Sequence, residues 1–193
     1  RRFARDARDA GVSQPPAWPE AELPATYETC VVASDTLLTV PSVGKVVLED
    51  LDLSPQQSET AAAWAEWLGG QLYADNEPDA AVWRSLLRQR LCVVHDDLLG
   101  FLLTTATEVT ARVRLHDDAK TVAQGALWYE EALPAETVLS GLVSVSEIVA
   151  ERRKPLDSTA VLSELERITA RSLQFGGKAT VGRGLCRVRM GRA

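Results

Sequence analysis

Gly176-Gly177-Lys178-Ala179-Thr180-Val181-Gly182-Arg183-Gly184 holds four glycines and two cations in nine residues, with no acid. Glycine loses more conformational freedom on folding than any other residue, so such a cluster marks positive φ angles or a close backbone approach. Upstream, Val161, Leu165, Ile168 and Ser172 recur at helical spacing with Leu162, Thr169 and Leu173 beside them, which predicts a helix over residues 158–174. Asp157 or Ser158 caps its start. Arg167 and Arg171 suit the dipole of its last turns, and Gly176 or Gly177 ends it as a left-handed cap. Downstream, Cys186, Val188 and Met190 alternate with Arg187 and Arg189, so residues 185–190 read as a half-solvated strand. The order helix, glycine loop, strand is the reverse of a mononucleotide-binding loop, which precedes a helix and needs Lys-Ser/Thr after its last glycine. Any phosphate contact here has to come from backbone N–H groups and from Lys178 and Arg183. The plainer reading is a connection carrying a solvated basic tail.

Charge separates the chain's end from its body. Residues 167–193 hold seven Lys/Arg and no Asp/Glu, whereas the other 166 residues hold 14 Lys/Arg and 27 Asp/Glu. The net charge of −6 conceals a basic end on an acidic body, an asymmetry that points to a polyanionic partner. A length of 193 residues suits one domain or slightly more, and 46% hydrophobic with 25% charged residues is ordinary for a globular protein. No apolar run approaches the roughly 20 residues that span a bilayer, and there is no signal-peptide pattern. Cys30, Cys92 and Cys186 are odd in number and scattered, which suits reduced core thiols and a cytoplasmic protein. His95 and His116 are too few for a histidine-based metal centre, and the absence of Cys-x-x-Cys and His-x-x-x-His disfavours structural zinc. The opening Arg1-Arg2, without an initiator Met, reads as part of a longer protein.

Residues 1–10 read as the end of a helix stopped by Gly11. Residues 14–24 hold Pro15, Pro16, Pro19 and Pro24, an irregular connection in which Trp18 anchors the chain to the body. Residues 27–32 and 43–48 are strand candidates. Cys30-Val31-Val32 with Asp35 and Leu37 is echoed 62 residues later by Cys92-Val93-Val94 with Asp97 and Leu99, two units of similar design. Ser54-Pro55-Gln56-Gln57 reads as a capping box with proline at the first helical position. The helix it opens runs to Leu68, stops at Gly69-Gly70, and puts Trp64 and Trp67 in the core. Asp79 caps the next helix, with Val82, Trp83, Leu86 and Leu87 inward and Arg84, Arg88 and Arg90 outward. Asp96-Asp97 opens a further helix, where paired acids suit the dipole better than a metal.

The clearest strand pattern is Val109, Ala111, Val113 and Leu115 alternating with Thr110, Arg112, Arg114 and His116. Asp117-Asp118-Ala119-Lys120 turns, and residues 121–129 return as the second strand of a long hairpin. Its Arg112 and Arg114 face reads either as a wet strand side or as a basic ribbon for nucleic acid. Adjacent Glu130 and Glu131 point to opposite faces and do not form a paired-carboxylate catalyst. Arg152-Arg153-Lys154 reads as an exposed linker.

Three of these segments together resemble the RAMP superfamily of CRISPR effector proteins, above all the repeated backbone subunit of the type III-B (Cmr) complex. They are Cys92-Val93-Val94-His95-Asp96-Asp97; residues 108–134 with Gly125-Ala126-Leu127-Trp128-Tyr129-Glu130-Glu131 and Leu133-Pro134; and residues 176–184. The resemblance covers residues 27–189 in order and spacing. It implies an α+β, ferredoxin-like (RNA-recognition-motif-like) RAMP core over residues 1–193, with a helical insertion at 49–91 and an extended, thumb-like hairpin at 107–134. It implies copies stacked in a filament along CRISPR RNA, target RNA and other Cmr subunits as partners, and antiviral defence as the setting. RNA contact falls to Gly176, Gly177, Lys178, Gly182, Arg183 and Gly184, with Arg112 and Arg114 supplying further charge.

The family cleaves target RNA with a divalent metal and an aspartate in an Asp-x-Pro-x-x-Arg-like loop. No residue here matches that aspartate, so the resemblance places the loop and the first core strand in an N-terminal quarter to third outside these residues. Glu130 stands where the family carries an acid linked to cleavage, an accessory catalytic position, while a nearby family tyrosine is Ala132 here. A stand-alone RNA-processing endonuclease and a pure protein-interaction module are the competing readings.

Overall fold

The computed structural model describes residues 2–12, 14–146 and 157–191; the Arg152-Arg153-Lys154 run lies outside the described residues. The helices are α1 (Arg2–Asp9), α2 (Glu59–Leu72), α3 (Ala80–Arg90), α4 (Asp96–Thr105) and α5 (Ser158–Thr169). The strands are β1 (Thr29–Val32), β2 (Thr39–Val40), β3 (Lys45–Leu48), β4 (Leu51–Gln57), β5 (Cys92–Val94), β6 (Glu108–Leu115), β7 (Val122–Ala132), β8 (Leu173–Gln174) and β9 (Leu185–Cys186). The architecture is mixed α+β. The chain divides into a central unit (Pro16–Gly69 and Asp75–Leu139) and a terminal unit (Arg1–Pro15, Gly70–Ala74 and Ser140–Ala193).

The central unit is built on a sheet of order β2-β3-β4-β1-β5, in which β1 and β4 run parallel and the other neighbours antiparallel. The two echoing phrases of the sequence pair with each other: Cys30 faces Val94, Val31 faces Val93 and Val32 faces Cys92. Because side chains alternate along a strand, Cys30, Val32, Cys92 and Val94 share one face. There they pack with Val46, Leu53 and the α4 residues Leu98 and Leu102. Burying a side chain such as Leu53 or Val32 contributes about 1.5–3 kcal/mol. Beyond the strands the phrases diverge. After β5, Asp96-Asp97 opens α4, and His95 Nδ1 accepts from the Asp97 amide at 3.2 Å. After β1 the chain turns, and Arg88 Nε holds the Asp35 carboxylate at 3.0 and 3.1 Å.

Cys30 is buried, Cys92 half-buried and Cys186 exposed, so two of the three thiols are core residues and the third is not. The register sets Cys30 and Cys92 diagonally across the ladder. Contact with the Cys30 thiol, and then burial, push Cys92 upward, which keeps it protonated at neutral pH. A thiol reacts as its thiolate and only where a reagent reaches it; the Cys92 contact draws Cys30 downward, but Cys30 is fully buried, so access rather than ionisation protects it. In the native chain maleimide is therefore expected to modify Cys186 rapidly and Cys30 and Cys92 only after denaturation, as mass spectrometry would read. Prompt modification of all three would contradict this core.

Several local expectations shift for physical reasons. Ser54-Pro55 is not a helix start but the middle of β4. The Ser54 and Ser58 amides donate to the β1 side, to Glu28 O at 2.8 Å and Val32 O at 2.9 Å. Pro55, between them, has its missing N–H on the other side, where pairing to β3 has ended at Leu53. The cap is Ser58, whose Oγ accepts from Thr60 N at 3.0 Å and donates to Glu22 at 2.6 Å. The helical stretch within 49–91 thus begins at Glu59. α2 also does not stop at Gly69-Gly70. Gly69 is buried, and an added Cβ there would stand 3.1 Å from the Arg84 side chain, so this glycine serves close helix approach.

Asp79 occupies the cap position of α3 but is left-handed and makes no side-chain cap bond. α3 departs from expectation in part: Leu86 and Leu87 are half-buried and Arg90 exposed, as expected. Val82 and Trp83 are exposed, while Arg84 and Arg88 lie half-covered in ion pairs, Arg84 with Asp75 and Arg88 with Asp35 and Glu66. Trp64 is buried against Trp18 and Trp67, with ring centroids 6.0 and 5.5 Å away, so Trp18 is the anchor and Trp67 a half-buried neighbour.

In the terminal unit, α1 ends before Gly11, which has φ +66 as its stop position requires. Asp6 is buried and accepts a 2.6 Å hydrogen bond from Ser140 Oγ. α5 ends at Thr169, not at residue 174, and its last cap is Ala170 rather than a glycine. Leu173 and Gln174 leave the helical pattern because they pair with Cys186 and Leu185. No helix among the described residues is long and apolar enough to cross a membrane.

Candidate nucleic-acid interface

The glycine stretch is the connection of a short hairpin. With α5 finished and β8 intervening, the loop does not lie on a helix C-terminus, and the anion-repelling end of a dipole is not beside it. Gly176, Lys178, Gly182 and Gly184 all have positive φ, from +66 to +78. The Lys178 carbonyl accepts from the Val181 and Arg183 amides at 3.1 and 3.2 Å, and Gly182 N donates to Ala179 O at 3.0 Å. Gln174 closes the mouth, donating from Nε2 to Arg183 O at 2.6 Å, while Phe175 N donates to Gly184 O at 2.9 Å.

The glycines are not equivalent. A Cβ at Gly184 would overlap the Phe175 carbonyl oxygen and stand 2.8 Å from Gln174 Nε2, whereas one at Gly182 meets nothing within 4 Å. Among the described residues the Gly176 and Gly177 amides donate to no protein acceptor, and both glycines are exposed. Lys178 is exposed and Arg183 half-exposed. Only Leu185 and Cys186 of the expected 185–190 strand pair, since β8 is two residues long. The alternation survives beyond them, with Arg187 and Arg189 exposed and Val188 and Met190 half-buried.

The second group of candidate residues lies on β6 and β7 in the central unit. These strands form a separate two-stranded ribbon. Its register sets Arg112 opposite Trp128 and Thr110 opposite Glu130. The Glu130 carboxylate accepts from Trp128 Nε1 at 3.1 Å and lies 3.4 Å from Arg112 Nε. That pairing compensates the Arg112 charge and fixes Glu130 on the ribbon. Arg114 is different. The ladder shifts between Val113 and Leu115, so residues 123–126 bulge opposite it with Gly125 at φ +70, and Arg114 is exposed. The other face shows Val109, Val113, Leu115, Leu127 and Tyr129 to solvent.

The fold sorts charge between the units. By sequence the terminal unit holds 14 Lys/Arg and 7 Asp/Glu, a net of +7, and the central unit 7 Lys/Arg and 20 Asp/Glu, a net of −13. Sequence reading recognised the basic end but not that residues 1–15 join it. Among the described residues no group of three or more His, Cys, Asp and Glu is placed to hold a metal ion.

Residues 28–187 match the RAMP superfamily, and the chain belongs to it. The chain is also 29% identical over 187 residues to the CRISPR system Cmr endoribonuclease Cmr4 of Pyrococcus furiosus. That match covers 97% of this chain and 58% of the curated protein, so the chain spans less than two thirds of its relative's length.

Proposed function

We propose that this chain is the RNA-binding part of a type III-B Cmr complex subunit, stacked in copies along CRISPR RNA within a cytoplasmic antiviral effector. The observation that carries this reading is the glycine hairpin: exposed amides of Gly176 and Gly177 flanked by Lys178 and Arg183, in a unit of net charge +7. Phosphates bind cations and backbone N–H groups without any sequence code, and base pairing is left to read the target. Gly182 and Gly184 shape the loop, and the Arg114 side of the ribbon supplies further charge. On this reading the β-sheet of the central unit belongs to a ferredoxin-like core, and the ribbon is the thumb that reaches the guide–target duplex.

Target-RNA cleavage belongs to the whole protein with its divalent metal, and Glu130 serves as an accessory acid fixed by Arg112 and Trp128. The RNA-processing alternative has less support, because His95 and His116 are the only histidines of the sequence and neither lies in the glycine hairpin.

Binding of labelled single-stranded RNA to the full chain across a salt series tests the proposal. Each phosphate contact steepens the fall of log K with log salt by about 0.7. A slope of at least about −2 is expected. A protein that binds no RNA at low salt would refute the reading and favour an interaction module.

A further inference from the structure

α1 carries a second set of cations into the basic unit. Arg2, Arg5 and Arg8 recur every three residues and so follow one side of the helix. With Ala4 they line a single surface hollow. The buried residues of the helix are Asp6 and Ala7, which fixes the face turned to the protein. Asp6 is satisfied internally. It accepts from Ser140 Oγ at 2.6 Å and from Arg2 Nε at 2.9 Å, and these bonds, that to Ser140 first, hold its carboxyl below the usual range. Arg2 is therefore partly compensated. Among the described residues the Arg5 and Arg8 side chains make no hydrogen bond or close ion pair, and both are exposed, although the Arg5 charge also acts on Asp6 at longer range. Asp9 is the one other acid of the helix and is also exposed, which leaves the solvent side net positive.

The arginine-rich end of the chain reaches the same neighbourhood. A Cβ added at Gly191 would stand 2.8 Å from Val12 Cγ1, so the segment following Arg187 and Arg189 runs against the turn that follows α1. Both ends of the sequence thus contribute cations to one body. A guanidinium presents planar paired donors that match a phosphate better than a point charge does. The stripe carries no aromatic or amide group that would read a base.

We propose that Arg5 and Arg8, with Arg2 behind them, form a second phosphate-contacting surface for single-stranded RNA in the terminal unit. This rests on the RNA-binding reading of the glycine hairpin. RNA is the ligand that suits both parts of the unit on that reading, because one strand presents successive phosphates to the hairpin's open amides and to the guanidinium stripe; an acidic peptide is the other outcome of the test.

Fluorescence anisotropy of labelled oligouridine with the full chain, over a salt series, tests it. Arg5→Gln/Arg8→Gln removes two cations without adding acids, and circular dichroism checks the fold. The variant is expected to bind about 25-fold more weakly at 0.1 M salt, with a slope shallower by about 1.4; each single variant should lose about half of that slope. Unchanged affinity and slope, while wild type binds RNA, would overturn this inference and leave the hairpin reading intact. A wild type that binds no RNA removes both. A double variant that loses polyglutamate binding but keeps RNA binding would assign the stripe to an acidic protein instead and overturn the inference.

Discussion

Gly184→Ala is expected to lower the melting midpoint of the full chain by about 6–12 °C, corresponding to about 3 kcal/mol in a chain of this size. The residue has φ +73, and a methyl group there overlaps the Phe175 carbonyl, which is backbone and cannot swing aside. The hairpin has to open, and with it go the Phe175–Gly184 bond and the Gln174 side-chain bond to Arg183 O. Gly182→Ala is the matched control. Its φ of +78 strains any L-residue, but its Cβ enters open space, so about 1 kcal/mol is expected. Calorimetry distinguishes the two, and hydrogen exchange at the Phe175 amide localises the change. Equal losses would mean that the close approach at Gly184 is not what constrains the loop.

The largest effect on binding is expected from Lys178→Glu/Arg183→Glu. Loss of two phosphate contacts weakens single-stranded RNA binding by roughly 25-fold at 0.1 M salt, and the two new acids add repulsion, giving a total on the order of 100-fold. The salt slope should fall by about 1.4. The melting midpoint should stay near that of wild type, because both side chains lie at the loop surface rather than in the core. An unaltered RNA affinity in a folded variant would remove the hairpin from the interface. Arg112 makes an informative comparison. Held against Glu130, it should contribute less to binding than Arg114 when each is changed to Gln.

The sequence was most legible where period and partner agree. Cys30-Val31-Val32 and Cys92-Val93-Val94 are β-branched, apolar and repeated, and they pair with one another in the sheet. The long hairpin was equally plain, because its alternation is sustained over strands of eight and eleven residues. Legibility failed where a tertiary contact outweighs a local signal. Ser54-Pro55 has every mark of a helix start, but its neighbours gain two ladders, and the proline tolerates the strand because its missing N–H faces an unpaired side. Residues 170–174 continue a helical stripe that α5 abandons for a two-residue ladder.

Val82 and Trp83 looked like core, yet they are exposed, while Arg88 is half-covered between Asp35 and Glu66, acids remote from it in sequence, and Arg84 pairs with the nearer Asp75. At the candidate site the glycines and cations were visible as a cluster. Which glycine is indispensable was not, since this depends on the Phe175 carbonyl across the hairpin. Arg5 and Arg8 escaped notice for a similar reason: nothing local says that the turn after the first helix meets the last segment.

A molecule that carries +7 on one body and −13 on the other does not behave at the bench as its isoelectric point of about 5.0 suggests. At neutral pH an anion-exchange resin would retain it as an ordinary acidic protein. Phosphocellulose or heparin would retain it as well, each matrix gripping the half that suits it. Co-purifying nucleic acid would then be masked by the overall sign, so the absorbance ratio at 260 and 280 nm is the better guide to what the preparation contains.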